Sequence, residues 1–225
     1  MTKFHPDARY LTDYAAGSLA MAPAVAVSVH LEYCAHCRQR LASLIEVGAS
    51  VFQQETQDIE DVSEQDAMHG FDALLSMIDE QPEISAKPDI EIDKSISESK
   101  LVSRLIDVKS NEFSWKKLTK KLAFSRLSTG DTHSEVGLYH IFAGGSIPEH
   151  KHQGEEITVV LKGTFTDADG IYQPGDFLVR QGDERHSPQA GQHEDCICLA
   201  VVDAPVQFTK GLSRLVNPFL SVNPH

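Results

Sequence analysis

The hydrophobic period of this 225-residue chain changes from about 3.6 to 2 near residue 100, and one regular architecture cannot serve both halves. Upstream, Tyr10, Leu11, Tyr14 and Leu19 form one helical stripe, and Leu31, Leu41, Leu44, Ile45 and Val51 continue the pattern. Pro6-Asp7 suits a helix start, and Pro23 the first turn of a second helix. A further helix is expected over 66–78, with Phe71, Leu74, Leu75 and Ile78 on one face and Gln81-Pro82 as its stop. Downstream, Phe113, Trp115 and Leu118 read as strand. So do 135–142, 156–161, 176–180 and 195–202, separated by turn signals such as Ala143-Gly144-Gly145, Lys162-Gly163, Asp169-Gly170 and Pro174-Gly175. Many short strands with regular turns predict an antiparallel sandwich or barrel. The expected organisation is a two-domain α + β chain: helical residues 1–82, an acidic linker over 83–100, and a β domain over 101–225.

Charge is concentrated in one place. Between Glu55 and Glu98 there are fourteen Asp and Glu against two Lys, which accounts for −12 of the formal net charge of −13. Such a run reads as a solvated linker or as a surface for a basic partner. It disfavours direct binding to nucleic acid, which needs clustered Lys and Arg. The small cluster Lys116, Lys117, Lys120 and Lys121 fits the polar face or turn of a strand pair. No run approaches the ~18 apolar residues of a membrane span. Asp7 and Asp13 stand where a secretory leader would be basic, so a cytoplasmic protein is expected. Four cysteines in that compartment point to metal or redox chemistry before disulfides.

The stretch His30-Leu-Glu-Tyr-Cys34-Ala-His-Cys37 has the spacing H-x3-C-x2-C. Residues three and four apart share a helix face, so His30, Cys34 and Cys37 converge if the helix turns near Cys34. Imidazole and thiolate suit tetrahedral zinc, and a structural site takes four ligands. His5, just ahead of the first helix, is the best fourth; His36 should point away as a solvated bystander. The alternatives are two buried, inert cysteines or a metal-free dithiol pair.

A second set follows in the β half. His150-Lys-His152 places two imidazoles on one side of a strand. Glu156 opens the next strand after a Gln-Gly turn and can fold back on them, and His186 comes from a later strand. Three imidazoles and a carboxylate would suit zinc, iron(II), manganese or nickel. Glu155 is the alternative carboxylate, with the wrong strand parity if Glu156 faces inward. His133 and His193 read as loop residues without a role. Cys196 and Cys198 lie two apart on a strand, so their sulfurs share a face. They read as small core residues, with a redox pair as the alternative.

The ordered pattern H-x-H-x3-E-x6-G, then Pro174-Gly175-Asp176 and His186, resembles the cupin signature, which implies a β jelly roll. One departure is that four residues separate Gly145 from His150 where the pattern wants five, a place Gly144 fills. His30-x3-Cys34-x2-Cys37 resembles the zinc-binding anti-sigma motif. Together, helical part first, they resemble the ChrR-type anti-sigma factors over about residues 1 to 220. The resemblance implies zinc at His5, His30, Cys34 and Cys37, and a second metal at His150, His152, Glu156 and His186. It implies a helical domain that grips an extracytoplasmic-function-type sigma factor and keeps it from RNA polymerase. It also implies a cupin-like domain needed to respond to singlet oxygen or related oxidants. The main rival is a metal-dependent cupin enzyme of the dioxygenase kind, since a fold does not fix a function. A pure small-ligand sensor is a third reading, and a homodimer through the cupin domain is left open.

Overall fold

The computed structural model describes residues 2–56, 101–102, 114–211, 214 and 217. The expected helix over 66–78, the linker over 83–100 and Phe113 lie outside the described residues. Two compact units are distinguished, Met1–Ile45 with Ile92–His225, and Glu46–Glu91.

Three helices come first: α1 (Ala8–Ala15), α2 (Met21–Tyr33) and α3 (Ala35–Thr56). Asp7 caps α1 by accepting from the Tyr10 amide at 3.1 Å, and Pro23 sits in the first turn of α2. Then follow β1 (Lys116–Thr119), β2 (Leu122–Leu127), β3 (Glu135–Ile141), β4 (His150–His152), β5 (Glu156–Lys162) and β6 (Phe165–Thr166). The last six strands are β7 (Ile171–Tyr172), β8 (Phe177–Arg180), β9 (Arg185–His186), β10 (Gln189–Ala190), β11 (Cys196–Val202) and β12 (Val206–Phe208). All pairings are antiparallel, in a six-stranded sheet ordered β1-β2-β3-β11-β5-β8 and two three-stranded sheets, β10-β6-β7 and β12-β4-β9. The fold is the N-terminal helical, C-terminal antiparallel cupin-like arrangement that the sequence pattern predicts. The lysine cluster falls on β1 and the turn into β2, with all of β1 exposed.

The central strands β11 and β5 of the large sheet are buried on both faces. All seven residues of β11 are buried, and β5 reads Ile157-Thr-Val-Val-Leu161, a nearly continuous apolar run. A sheet with one wet face alternates; one covered on both sides does not. On the inner face Leu122, Ile141, Val160, Leu178, Cys196 and Cys198 close the barrel interior with Phe165 and Tyr172. On the outer face Leu138, Ile157, Val159, Leu199 and Val201 pack with Tyr10, Leu11, Val25, Val27 and Val29 of the helices. Helix α2 lies on β5, β8 and β11. It is apolar nearly all round, as a helix buried on several sides must be. Each fully buried Val or Leu at this seam contributes roughly 1.5–3 kcal/mol.

Polar contacts fix the seam. Helix α2 has Ala20 at its N-cap position and no side-chain cap of its own. Its first orphan amides need an outside acceptor, and Asp131, from the loop before β3, accepts from the Ala22 amide at 3.0 Å. The same carboxylate takes the amides of His133 at 2.8 Å and Ser134 at 3.0 Å, which depress its pKa against the opposing effect of burial. The far end is held by the Tyr33 hydroxyl, which donates to the Leu161 carbonyl at 3.3 Å.

The helical stripe is only partly core. Leu31 is buried, and Leu41 and Leu44 pack against the cluster. Ile45 and Val51, expected to continue the core face, are 53% and 51% exposed. Asp131→Ala is predicted to destabilise the chain by about 2 kcal/mol, through loss of the α2 cap and of the acceptor for two loop amides. Denaturant unfolding should show it, and hydrogen exchange should accelerate first at the Ala22 amide; unchanged protection there would refute the capping role.

Candidate metal centres

His5, His30, Cys34 and Cys37 each place a ligand atom within 4.8 Å of the others. The chain achieves this by interrupting the helix. Cys34 is extended (φ −112°, ψ 101°) between α2 and α3, which lets His30 on one helix and Cys37 on the next face a common point. His5 arrives from the N-terminal segment, its Nδ1 3.4 Å from Cys34 Sγ and 3.5 Å from Cys37 Sγ. His30, Cys34 and Cys37 are buried and His5 is exposed, so one side of the centre meets solvent. His36 is exposed and stands outside the four, though its ring lies 5.7 Å from that of His5.

The hydrogen bonds settle the His30 tautomer. Nδ1 lies 2.6 Å from the Gly175 carbonyl, which can only accept, so Nδ1 carries the proton. Nε2 is then a bare lone pair, buried and without a hydrogen-bond partner. An orphan lone pair beside two sulfurs fits a metal ligand whose other nitrogen is oriented by a carbonyl. Burial holds the imidazole neutral, its pKa lowered to about 4 despite the Gly175 bond. The two thiols differ. Burial pushes Cys37 up to about 12, reinforced by Cys34. Burial acts the same way on Cys34, but hydrogen bonds from Thr2 and the Cys37 amide outweigh it and lower its pKa.

The second constellation sits in the barrel. His150 and His152 are buried on β4, His150 pairs in register with His186 on β9, and Glu156 opens β5. Glu156 Oε2 lies 2.9 Å from His152 Nε2 and 3.3 Å from His186 Nε2, and the two nitrogens are 3.3 Å apart. Despite these distances Glu156 Oε2 has no aligned donor, and His152 Nδ1 is also buried without a partner. A buried carboxylate oxygen left without an aligned donor among three imidazoles fits a ligand aimed at a common ion. His150 repeats the His30 device: Nδ1 donates to the Pro148 carbonyl at 2.9 Å, which leaves Nε2 for the centre. Burial lowers His150 to about 4 and also lowers His186. Burial alone would raise Glu156, but contact with His152 and the charges of His152, His186 and His150 hold it at about 2. Nitrogen and carboxylate donors without sulfur would suit zinc or another first-row divalent ion.

Glu155 points the other way. It accepts from the Tyr10 hydroxyl and from Gln181 Nε2 at 2.7 Å, with Arg9 at 3.8 Å. Gly144 and Gly145 are both needed before β4: Gly144 takes φ +63°, and a Cβ on Gly145 would meet two backbone carbonyls at 2.7 Å. A cavity of about 360 Å³ opens on His150, Glu156 and His186, walled by apolar side chains such as Leu122, Ile141 and Phe165 and by Tyr139. His140 does not line it; its Nε2 is paired with Asp195 at 2.8 Å and its ring stacks on Phe142. His133 and His193 are exposed. Cys196 and Cys198 are buried with their sulfurs 3.6 Å apart, and Cys198 borders the cavity. The neighbouring Cys196 thiol and burial push Cys198 well above its ordinary pKa, which disfavours the reactive thiolate. Sequence reasoning missed Asp131, Asp176 and the carbonyls of Pro148 and Gly175, because a residue's service to a distant backbone leaves no local spacing signal.

The comparisons with known proteins agree with this architecture. The family described as the ChrR cupin-like domain matches residues 103–206. Among solved structures, Rhodobacter sphaeroides SigE in complex with the anti-sigma ChrR matches with a TM-score of 0.70 and 28% identity, covering 90% of this chain and 100% of that one. The anti-sigma-E factor ChrR of Cereibacter sphaeroides is 31% identical over 220 residues, 98% of this chain and 99% of the relative. Among the described residues no helix is long and apolar enough to cross a membrane. With that identity over nearly the whole of both chains, the protein belongs to the ChrR family of anti-sigma factors.

Proposed function

We propose that this chain sequesters an extracytoplasmic-function-type sigma factor from RNA polymerase and releases it when an oxidative signal reaches the cupin-like part. The observation that carries the reading is the near full-length similarity to ChrR, whose solved homologue is held in a complex with SigE. The second half of α3 supplies a fitting surface: Val47, Val51 and Phe52 are 61%, 51% and 69% exposed. An exposed apolar row on this helix suits a helical partner. Occlusion of the sigma surface that meets polymerase requires no catalysis, so the chain acts as a regulator and not as an enzyme.

In this reading His5, His30, Cys34 and Cys37 hold zinc, which fixes the angle between α2 and α3. His150, His152, Glu156 and His186 hold a second divalent ion at the floor of the apolar cavity. A signal received there changes the relative stability of a sigma-binding and a sigma-releasing state, which requires differential affinity of the two states for sigma.

Co-purification with the full chain from cytosol, with bound proteins identified by mass spectrometry, tests the reading directly. A sigma factor should be retained, and Cys34→Ser with Cys37→Ser should lose it; absence of any sigma factor on folded, metal-loaded protein would defeat the proposal. Val51→Asp with Phe52→Asp should weaken the complex by about 30-fold or more while circular dichroism keeps its helical signal. Glu156→Gln should still bind sigma but no longer release it under oxidant. Retained release in that variant would remove the second centre from the signal path.

The two centres should also differ in pH dependence. At the first, Cys37 must give up a proton held with a pKa of about 12, so between pH 7 and 8.5 metal affinity should rise at least tenfold per pH unit, and more steeply wherever the Cys34 thiol also ionises. At the second, Glu156 and His150 have already lost their protons, with pKa values of about 2 and 4, and affinity should be nearly flat. Chelator competition across that range measures both slopes, and a flat first centre would exclude ligation by the Cys37 thiolate.

A further inference from the structure

The first metal centre is not built by the helices alone. The turn between β7 and β8, Gln173-Pro174-Gly175-Asp176, lies directly behind it. The Gly175 carbonyl orients His30, as described above, and no side chain could be accommodated in its place. Gly175 takes φ +89°, and a Cβ there would meet Thr2 Cγ2 at 2.4 Å and Tyr33 Cβ at 2.6 Å. Asp176 is fully buried. Its Oδ1 accepts from the amides of Lys3 at 2.6 Å and Phe4 at 3.1 Å, while Oδ2 accepts from Gln173 at 3.0 Å. The Phe177 amide donates to the Phe4 carbonyl at 3.1 Å, and the Phe4 ring packs 5.1 Å from Tyr172. The segment that presents His5 is therefore pinned, residue by residue, to the start of β8.

We propose that Gly175 and Asp176 are positioning residues of the His5, His30, Cys34 and Cys37 centre, so that its metal affinity is set by a turn of the β domain. Gly175 aims one ligand through its carbonyl, and Asp176 delivers another by anchoring the two amides before it. The turn is in turn fixed to β5: the Gly175 amide donates to the Val160 carbonyl at 2.8 Å, and the Val160 amide to the Asp176 carbonyl at 3.2 Å. Glu156 begins that same strand. The inference rests on the reading of the four residues as a metal site.

The test uses the full chain and cobalt(II) as the probe, because a thiolate-to-cobalt absorption band reports the sulfur-containing centre alone. Total bound cobalt, by elemental analysis, reports both centres. Asp176→Asn leaves one acceptor for three amides and should weaken cobalt binding at the thiolate centre by about tenfold or more, with the centre at His150, His152, Glu156 and His186 unchanged. Lys3→Pro deletes one amide donor without touching the sheet, should shift affinity in the same direction, and decides the matter if Asp176→Asn does not fold. Wild-type affinity at the thiolate centre in the deciding variant, or equal weakening of both centres, overturns the assignment. No thiolate band in the unmodified protein would instead defeat the metal reading, and the inference with it.

Discussion

The two-sided burial of the β3-β11-β5 sheet is the constraint on which the rest depends. A barrel of this length closes its inner face with its own side chains, but the outer face carries Leu138, Ile157, Val159, Leu199 and Val201 and cannot stay wet. Helix α2 is the cover, and it is apolar enough to have no other stable place. Once α2 lies there, its unsatisfied N-terminal amide meets Asp131, His30 meets Gly175, and the break at Cys34 occurs beside the turn that anchors the N-terminal segment.

Both centres solve one orientation problem in the same way. A neutral imidazole has two nitrogens, and only one can face each candidate metal centre. In each case a backbone carbonyl, of Gly175 or of Pro148, accepts a hydrogen bond from Nδ1–H and so leaves Nε2 as the free lone pair. Burial then keeps both rings from taking a second proton. The centres differ in their anions. The first has thiols with opposed pKa shifts, and the second a carboxylate that is ionised before any metal arrives.

What was legible in the sequence was what short spacing encodes. H-x-H places two imidazoles on one side of a strand, and the ordered spacing H-x-H-x3-E pointed to Glu156, with Glu155 of opposite parity as the alternative. H-x3-C-x2-C implied a turn at Cys34. The strands β3, β5, β8 and β11 fell where alternation or apolar runs placed them, whereas the six-residue β2, Leu122–Leu127, was not anticipated. The shortest strands, two residues each in β6, β7, β9 and β10, are too brief to show a period. Apolar spacing could not distinguish Leu41, which packs on the core, from Val51, which does not, because a helix carries the same period whether its face is covered by its own chain or left exposed. The Pro174-Gly175-Asp176 turn was read as a turn, and its contacts with Lys3, Phe4 and His30 depend on a pairing of residues some 145 to 173 positions apart.

Glu155 and Glu156 are sequence neighbours that serve opposite sides of one strand. One faces three imidazoles in the barrel; the other holds Tyr10 and Gln181 on the helical side. A slip of β5 by a single residue would turn each to the other face, carrying Glu156 out of the imidazole cluster to the side where Ile157 packs under the helices, or bringing Ile157 into the cluster. Register in this strand is therefore indivisible: no displacement of β5 along its own axis can change one of the two environments and spare the other.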